Sequence, residues 1–332
     1  MLDKANFRPV TVLPAFDKVF ERIVHTQMSS YFDTIFHDYM FACWKLHGCS
    51  AALLTLTEEW KEKLDKSHVT GAATLDLSKA FDCIPHDLLL EKLRFYGLDE
   101  RSWSLLQSYL SHRYQRVKLG NSFSLWNVVR SGVPQQSILG PLLFNIFIND
   151  LAYAINESSL LNFADDTNLH ASNKCPRAVE NMINQDLFNA TSWFKQNGMI
   201  ANPTKYNAMV LGNATQCGIS IEYAGKEIPV SKEIKLLGIT LDEKLKFDSH
   251  IADICRKVGS QINALSKLKN ILPCKTKVSL YQAFILPYFS YCSQVWYHCG
   301  RNIEKLERTN ARAMRFVYSD KILTYEALLG CL

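Results

Sequence analysis

The chain of 332 residues is 48% hydrophobic and 21% charged, close to ordinary globular usage, which excludes wholesale disorder, collagen-like repeats and coiled coil. Lys and Arg total 37 against 32 Asp and Glu, and the resulting +5 permits a nucleic-acid partner without demanding one. The ten cysteines are scattered with no CxxC pair, and no secretory signal follows Met1. Free thiols in a reducing compartment are therefore expected, with no disulfide-linked partner and no structural zinc. The longest apolar stretch, Ile138 to Ile148, is broken by Gly140, Pro141 and Asn145 and falls short of the roughly 18 residues of a membrane span. The expectation is a soluble intracellular protein with no membrane partner, nuclear or cytoplasmic residence left open.

In chain order, Pro14 to Phe32 reads as a helix with Phe16, Val19, Phe20, Ile23 and Val24 on its inner face. Ser50 to Leu64 reads as a second, with Leu53, Leu54, Leu56 and Trp60 inward. The short apolar run Ala72 to Leu77 predicts a buried strand. Two helices follow, Asp87 to Tyr96 and Asp99 to Ser111. Tyr114 to Leu119 alternates as a strand, turns at Gly120-Asn121 and returns through Ser124 to Arg130. A buried helix follows Gly140-Pro141. Strands at 160–164 and 167–170 meet at Asp165-Asp166, and a long amphipathic helix runs from Pro176 to Asn197. Strands at 207–211, 220–223 and 234–240 precede a purely helical pattern from Asp248 onward. The chain thus changes from mixed α/β to all-α near residue 245.

Three carboxylates stand out. Asp76 lies in the apolar strand, where an ionised group is costly unless paired or metal-bound. Asp165 and Asp166 are adjacent at a hairpin tip, where a divalent cation would relieve their repulsion. Taken singly, these read as a strand-end cap and a polar turn. Taken together, they could hold two Mg²⁺ ions, with Mn²⁺ as an alternative, roughly 3.5–4 Å apart, the spacing that clamps both oxygens of an in-line phosphoryl displacement.

The flanking residues carry a resemblance. Phe163-Ala164-Asp165-Asp166 is similar to the [FY]xDD signature of reverse transcriptases, and Leu75 to Asp82 (LDLSKAFD) resembles the first catalytic carboxylate motif of the non-LTR retrotransposon class. Ser131 to Pro141 (SGVPQQSILGP) resembles that class's Gly-Val-Pro-Gln-Gly-Ser motif. Asn6 to Val10 resembles the opening fingers motif, Asn202 to Lys205 the palm lysine motif, and Leu236 to Ile239 the primer-grip hairpin. Leu286 to Trp296 resembles a downstream segment of jockey-like elements. The set covers nearly the whole chain in consistent order.

The resemblance implies an α+β chain of right-hand polymerase architecture: partial fingers over 1–70, an antiparallel-sheet palm over 71–245 and a helical thumb and tail over 246–332. It implies an RNA-directed DNA polymerase that joins a dNTP to the 3′-hydroxyl of a DNA primer on an RNA template. Asp76 and Asp165 would bind both metals, with Asp166 in support and the Leu77 carbonyl as a further ligand. Phe81 would contact the incoming sugar and exclude a 2′-hydroxyl sterically, the alternative being a plain core residue. Gln135 and its neighbours would line the nucleotide and template pocket, and Lys205 would stand near the pyrophosphate as a general acid, the alternative being a surface lysine. Arg308, Arg312 and Arg315 would meet phosphates, although such spacing also describes a solvated helix face.

Departures from the pattern raise a second reading, a remnant that keeps the fold without catalysis. Trp44 stands where an arginine is expected and Leu46 where glycine is usual, leaving Lys45 as the point charge for a triphosphate. Gln136 replaces the glycine of the Pro-Gln-Gly motif, a position where close approach or positive φ would exclude a side chain. Met1 lies just ahead of Arg8-Pro9, so a truncated upstream fingers segment is expected, and no endonuclease signature occurs. A third reading, an unrelated phosphotransferase or metal hydrolase, would make the motif order accidental.

Overall fold

The structure, a computed structural model, describes residues 11, 13–44, 47–212, 218–299 and 303–318. In chain order the elements begin α1 (Ala15–Phe32), α2 (Cys49–Asp65), β1 (Val69–Leu75), α3 (Ala80–Cys83), α4 (His86–Phe95) and α5 (Glu100–Leu110). Four two-residue strands follow, β2 (Tyr114–Gln115), β3 (Lys118–Leu119), β4 (Ser122–Phe123) and β5 (Asn127–Val128). Then come α6 (Leu139–Ile148), β6 (Ser159–Phe163), β7 (Asp166–Asn173), α7 (Pro176–Gln196) and β8 (Asn207–Leu211). The last strands are β9 (Ile221–Tyr223), β10 (Lys226–Ile228), β11 (Glu233–Leu236) and β12 (Ile239–Asp242). Helices α8 (Asp248–Ser266), α9 (Cys274–Phe284), α10 (Leu286–Ser290), α11 (Ser293–Trp296) and α12 (Ile303–Tyr318) end the described chain. The α+β class with antiparallel sheets is as expected. Contacts divide the chain into two units, Met1–Gly48 with Ser67–Val230, and Cys49–Lys66 with Ser231–Leu332.

The first unit is built on a four-stranded sheet of order β6-β7-β1-β8, antiparallel throughout. Residues 39–41 extend it beside β6, since Phe41 N–H donates to the Asn162 carbonyl and Asn162 N–H to that of Tyr39. Helix α7 lies against β1 and β7. The approach is close enough that a Cβ on Gly71 would fall 2.5 Å from Ile183 Cδ1 and 2.8 Å from Val179 Cγ1, so a side chain here would have to displace those methyls. Proline in the first turn starts α7, and its buried face (Val179, Ile183, Leu187, Ala190, Phe194) follows the helical period. Phe32, Phe144, Phe147 and Phe194 are fully buried in the same core, each contributing about 1.5–3 kcal/mol.

Helix α1 turns a different face inward from the one its sequence predicts. Glu21, Val24, Met28 and Phe32 are buried, whereas Phe16, Val19, Phe20 and Ile23 are exposed. The buried carboxylate decides the rotation: Tyr109 O–H donates to Glu21 Oε1 at 2.6 Å and Ile138 N–H to Oε2 at 2.7 Å. Periodicity alone cannot register such partners, which lie 88 and 117 residues away. Asp186, also fully buried, accepts the backbone N–H groups of Asn156, Glu157 and Ser158 and fixes the entry to β6. Lys92 is buried against Phe147 and Trp193, and its ammonium donates to the Phe147 carbonyl and to Asp150 at 2.7 Å. Burial pulls this ammonium down while Asp150 pushes it up.

In the second unit, the run 234–240 read as one strand is a hairpin, β11–β12, turning at Leu237-Gly238, where both residues take positive φ. The Asp242 carboxylate accepts from Lys244, Lys246 and Phe247 N–H and so sets the start of α8. Helix α12 packs on α8 and α9, and α2 packs on α11. Trp60, Tyr281 and Trp296 are fully buried. Leu54, predicted inward on α2, is 38% exposed, because the buried stripe runs through Ala52, Leu53, Leu56, Thr57 and Trp60. No helix among the described residues is long and apolar enough to cross a membrane.

Candidate active site

The pleat of the central sheet sets the acidic residues. Strand β1 stops at Leu75, so Asp76 lies one residue beyond the strand that was expected to contain it. Its carbonyl accepts from Asn202 N–H at 2.9 Å instead of continuing the ladder. Leu75 pairs with Thr167, so Asp76 and Asp166 each lie one residue past the last pair of that ladder. Asp166 opens β7 and pairs with Phe163 across the two-residue turn Ala164-Asp165, in which Ala164 takes φ 54°. An alanine in that conformation costs about 1–2 kcal/mol and is held by ladder bonds on either side.

The electrostatics agree with this placement. Desolvation first, then the Asp165 and Asp76 carboxylates, push the Asp166 carboxyl above the ordinary range, while the Lys205 ammonium pulls it down. Lys205, in a short 3₁₀ turn (Pro203–Lys205), donates to Asp76 Oδ1 and Oδ2 at 3.2 and 3.3 Å. Burial, with Tyr223 and Asp76 nearby, also pushes up the Tyr206 phenol, whose hydroxyl is buried with no hydrogen-bond partner.

Among the described residues, no group of three or more His, Cys, Asp or Glu side chains is set to hold a metal ion. The donors nevertheless suit a hard divalent cation: they are carboxylate oxygens, two of them raise the third, and the one cation at Asp76 is an internal ammonium.

The neighbouring residues form a second cluster. Leu77 is buried and bridged to Ala201. Lys79 takes φ 50° and starts α3, on which Phe81 stacks against Phe144 with centroids 4.5 Å apart. The loop 131–135 packs onto this turn. Gly132 N–H donates to the Ile84 carbonyl, Val133 N–H to that of Phe81, and Gln135 Nε2 to Asp82 Oδ1 at 3.0 Å. A Cβ on Gly132 would meet Asp82 Cα at 2.7 Å, and its φ is +84°, so both space and conformation demand glycine. His86, buried, holds the Gly132 carbonyl at 2.7 Å.

Gln136 takes φ +67° with its residue exposed, the left-handed backbone its departure from glycine raised as a question. Trp44 stacks on His47 at 4.2 Å and donates from Nε1 to Asp33 at 2.9 Å. Lys45, Leu46 and the segment Asn6 to Val10 lie outside the described residues. On α12, Arg308 pairs with Glu304 and Arg312 donates to Asn263. Sequence reasoning missed Glu21 and His86, which hold the 131–138 loop. A charged residue on an otherwise apolar helix stripe was the available signal for Glu21.

The profile of the family described as Reverse transcriptase (RNA-dependent DNA polymerase) matches residues 2–241. The chain is 28% identical over 333 residues to "Probable RNA-directed DNA polymerase from transposon BS" of Drosophila melanogaster, covering 94% of this chain and 36% of that protein. It is 26% identical over 326 residues to the RNA-directed DNA polymerase from mobile element jockey of the same species, again covering 94% and 36%. The chain therefore spans about a third of the length of these curated relatives. Among solved structures, telomerase from Candida tropicalis in complex with a fragment of telomeric RNA aligns over 96% of this chain and 56% of its own, with 10% identity and a TM-score of 0.49.

Proposed function

The chain belongs to the reverse transcriptase (RNA-dependent DNA polymerase) family, and we propose that it is of the non-LTR retrotransposon kind and extends a DNA primer on an RNA template by nucleotidyl transfer from a dNTP. The observation that supports this reading is the open end of the sheet, where the β1–β7 ladder ends one residue short of Asp76 and Asp166, the Asp76 charge reaches Asp166, and Lys205 donates to the Asp76 carboxylate. Asp76, Asp165 and Asp166 would hold two divalent ions, Mg²⁺ or Mn²⁺. Such ions, when bound, neutralise charge on the attacking and leaving oxygens of an in-line displacement. Asp76 would turn its carboxylate from the Lys205 ammonium toward the ions, which frees that ammonium to donate a proton to departing pyrophosphate.

Phe81, pinned by Phe144, would give the sugar subsite a rigid wall against a 2′-hydroxyl. Gln135, tied to Asp82, would line the nucleotide pocket, with Gln136 at its rim and Lys45 facing the triphosphate. The backbone of Leu77 would lie beside the metals. Fingers over 1–70, palm over 71–245 and thumb over 246–332 is the corresponding division of labour.

The second reading, a fold kept without catalysis, is favoured by Trp44, whose indole is bonded to Asp33 where an arginine would reach for phosphate. Primer extension on a homopolymer RNA template with Mg²⁺ or Mn²⁺ separates the two. Extension that falls at least a hundredfold in Asp76→Asn and Asp166→Asn, with unchanged circular dichroism, supports the polymerase. No extension under either metal, persisting in the Trp44→Arg, Gln136→Gly double variant, would sink it.

A further inference from the structure

Residues 112–130 carry Arg113, Arg116, Lys118 and Arg130 and no carboxylate. They form a ribbon of two successive antiparallel ladders, Tyr114↔Val128 with Gln115↔Asn127, then Lys118↔Phe123 with Leu119↔Ser122. Every residue from 114 to 128 is exposed. That includes Tyr114 at 60%, Phe123 at 51%, Leu125 at 87% and Trp126 at 59%. A two-stranded ribbon with neither face covered is marginal by itself, and a contiguous exposed apolar surface of this kind marks an interaction site.

Its polar groups say what it meets. The Arg116 guanidinium lies 4.2 Å from the Phe123 ring and 4.6 Å from the Trp126 ring, and Lys118 Nζ lies 5.5 Å from Phe123. Cations and flat rings therefore share one face. Among the described residues none of the four cations is ion-paired. At its base the ribbon borders a cavity of about 480 Å³, lined by Lys79, Arg113 and Arg130, by Asp82, and by the loop from Ser131 to Gln135. The face is thus continuous with the loop that packs on the candidate site.

We infer that this ribbon is a docking face for single-stranded RNA, with phosphates on Arg113, Arg116, Lys118 and Arg130 and bases stacked on Phe123 and Trp126. Charge complementarity selects the occupant. An all-cationic, ring-bearing face suits a polyanion with π-faces, whereas a second copy would bring the same four cations against themselves. The choice of RNA over DNA rests on the polymerase reading, with the template approaching the site along this face.

The test is fluorescence anisotropy with the full chain and a labelled 12-nucleotide oligouridylate at two or more salt concentrations. Trp126→Ala and Arg116→Ala are each expected to weaken binding at least fivefold with the thermal midpoint unchanged, and Trp126→Phe to restore most of the loss. Arg116→Ala is expected to lower the slope of log affinity against log salt by about 0.7. Asp76→Asn is expected to abolish extension and leave RNA affinity as it was, so loss of binding in the ribbon variants sustains this inference even where the wild-type chain extends nothing. Affinity unchanged in both ribbon variants overturns it. So does an equal fall in binding of the matching deoxyoligonucleotide, which would remove the preference for RNA. A change in sedimentation of Trp126→Ala in place of a change in RNA binding would make the ribbon a protein interface and overturn it as well.

Discussion

Replacing Gln136 by glycine should stabilise the protein, against the general tendency of glycine to weaken it. Gln136 holds φ +67°, where a Cβ crowds the carbonyl oxygen at a cost of about 1–2 kcal/mol. Glycine removes that crowding but loses about 0.5–1 kcal/mol more chain entropy on folding. The residue is exposed, so little packing changes, and the balance is a gain of up to about 1.5 kcal/mol, centred at about 0.75. For a unit of roughly 200 residues the central value raises the midpoint by about 1.5–3 °C. Thermal unfolding followed by circular dichroism, checked by urea titration, reads the shift. Asparagine, which tolerates this backbone, should fall between glutamine and glycine, and β-branched valine should fall below glutamine. An Ala or Val variant as stable as the glycine variant, or a glycine variant less stable than wild type, would refute the claim that backbone conformation governs this position. Catalysis is a separate reading of the same series: a glycine variant that extends a primer faster would locate part of the departure's effect in the loop itself.

Other outcomes follow from the same geometry. Glu21→Ala leaves the Ile138 N–H and the Tyr109 hydroxyl without their carboxylate, and urea denaturation should show a loss of about 2–4 kcal/mol. The Asp166 carboxyl is raised in the folded state, so that state holds its proton more tightly than the unfolded chain. Its destabilisation is absent below the unfolded carboxylate range and grows as pH rises through the folded one. Asp166→Asn should therefore raise the thermal midpoint at neutral pH, with the gain vanishing in acid. Millimolar Mg²⁺ or Mn²⁺ should raise the wild-type midpoint and leave that of the Asp76→Asn, Asp166→Asn double variant unmoved. Burial pulls His250 down to about 4, so the second unit should lose stability as pH falls from 6.5 toward 4. His250→Gln should flatten that dependence in a pH series of thermal melts.

The elements that sequence revealed were those whose cause is local. Pro176 and the spacing of Val179, Ile183 and Leu187 announce α7, and the apolar runs on either side of Asp165-Asp166 announce the β6–β7 hairpin. The candidate site was legible as a set of residues because its chemistry is written in short motifs. Its geometry was not, since the ends of β1 and β7 that carry Asp76 and Asp166 come together only through pairing across about ninety residues. The rotation of α1 was hidden for the same reason: Glu21 is buried by partners on α5 and on the loop before α6. Strand β10, three residues with Lys226 and Glu227 outward, has too little periodicity to register.

Helix α2 has a kinetic consequence. It precedes β1 in sequence, yet it packs on α11, with the Ser50 hydroxyl against Cys292 Sγ at 3.3 Å. About 230 residues separate Asp65 from Ser293. At roughly 5–20 residues per second on the ribosome, the stripe of Leu53, Leu56 and Trp60 waits about ten to forty-five seconds for its counterpart to emerge. A nascent chain in that interval presents a bare apolar helix to chaperones, and a fragment starting at Ser231 would be left with the opposite half of the same seam uncovered.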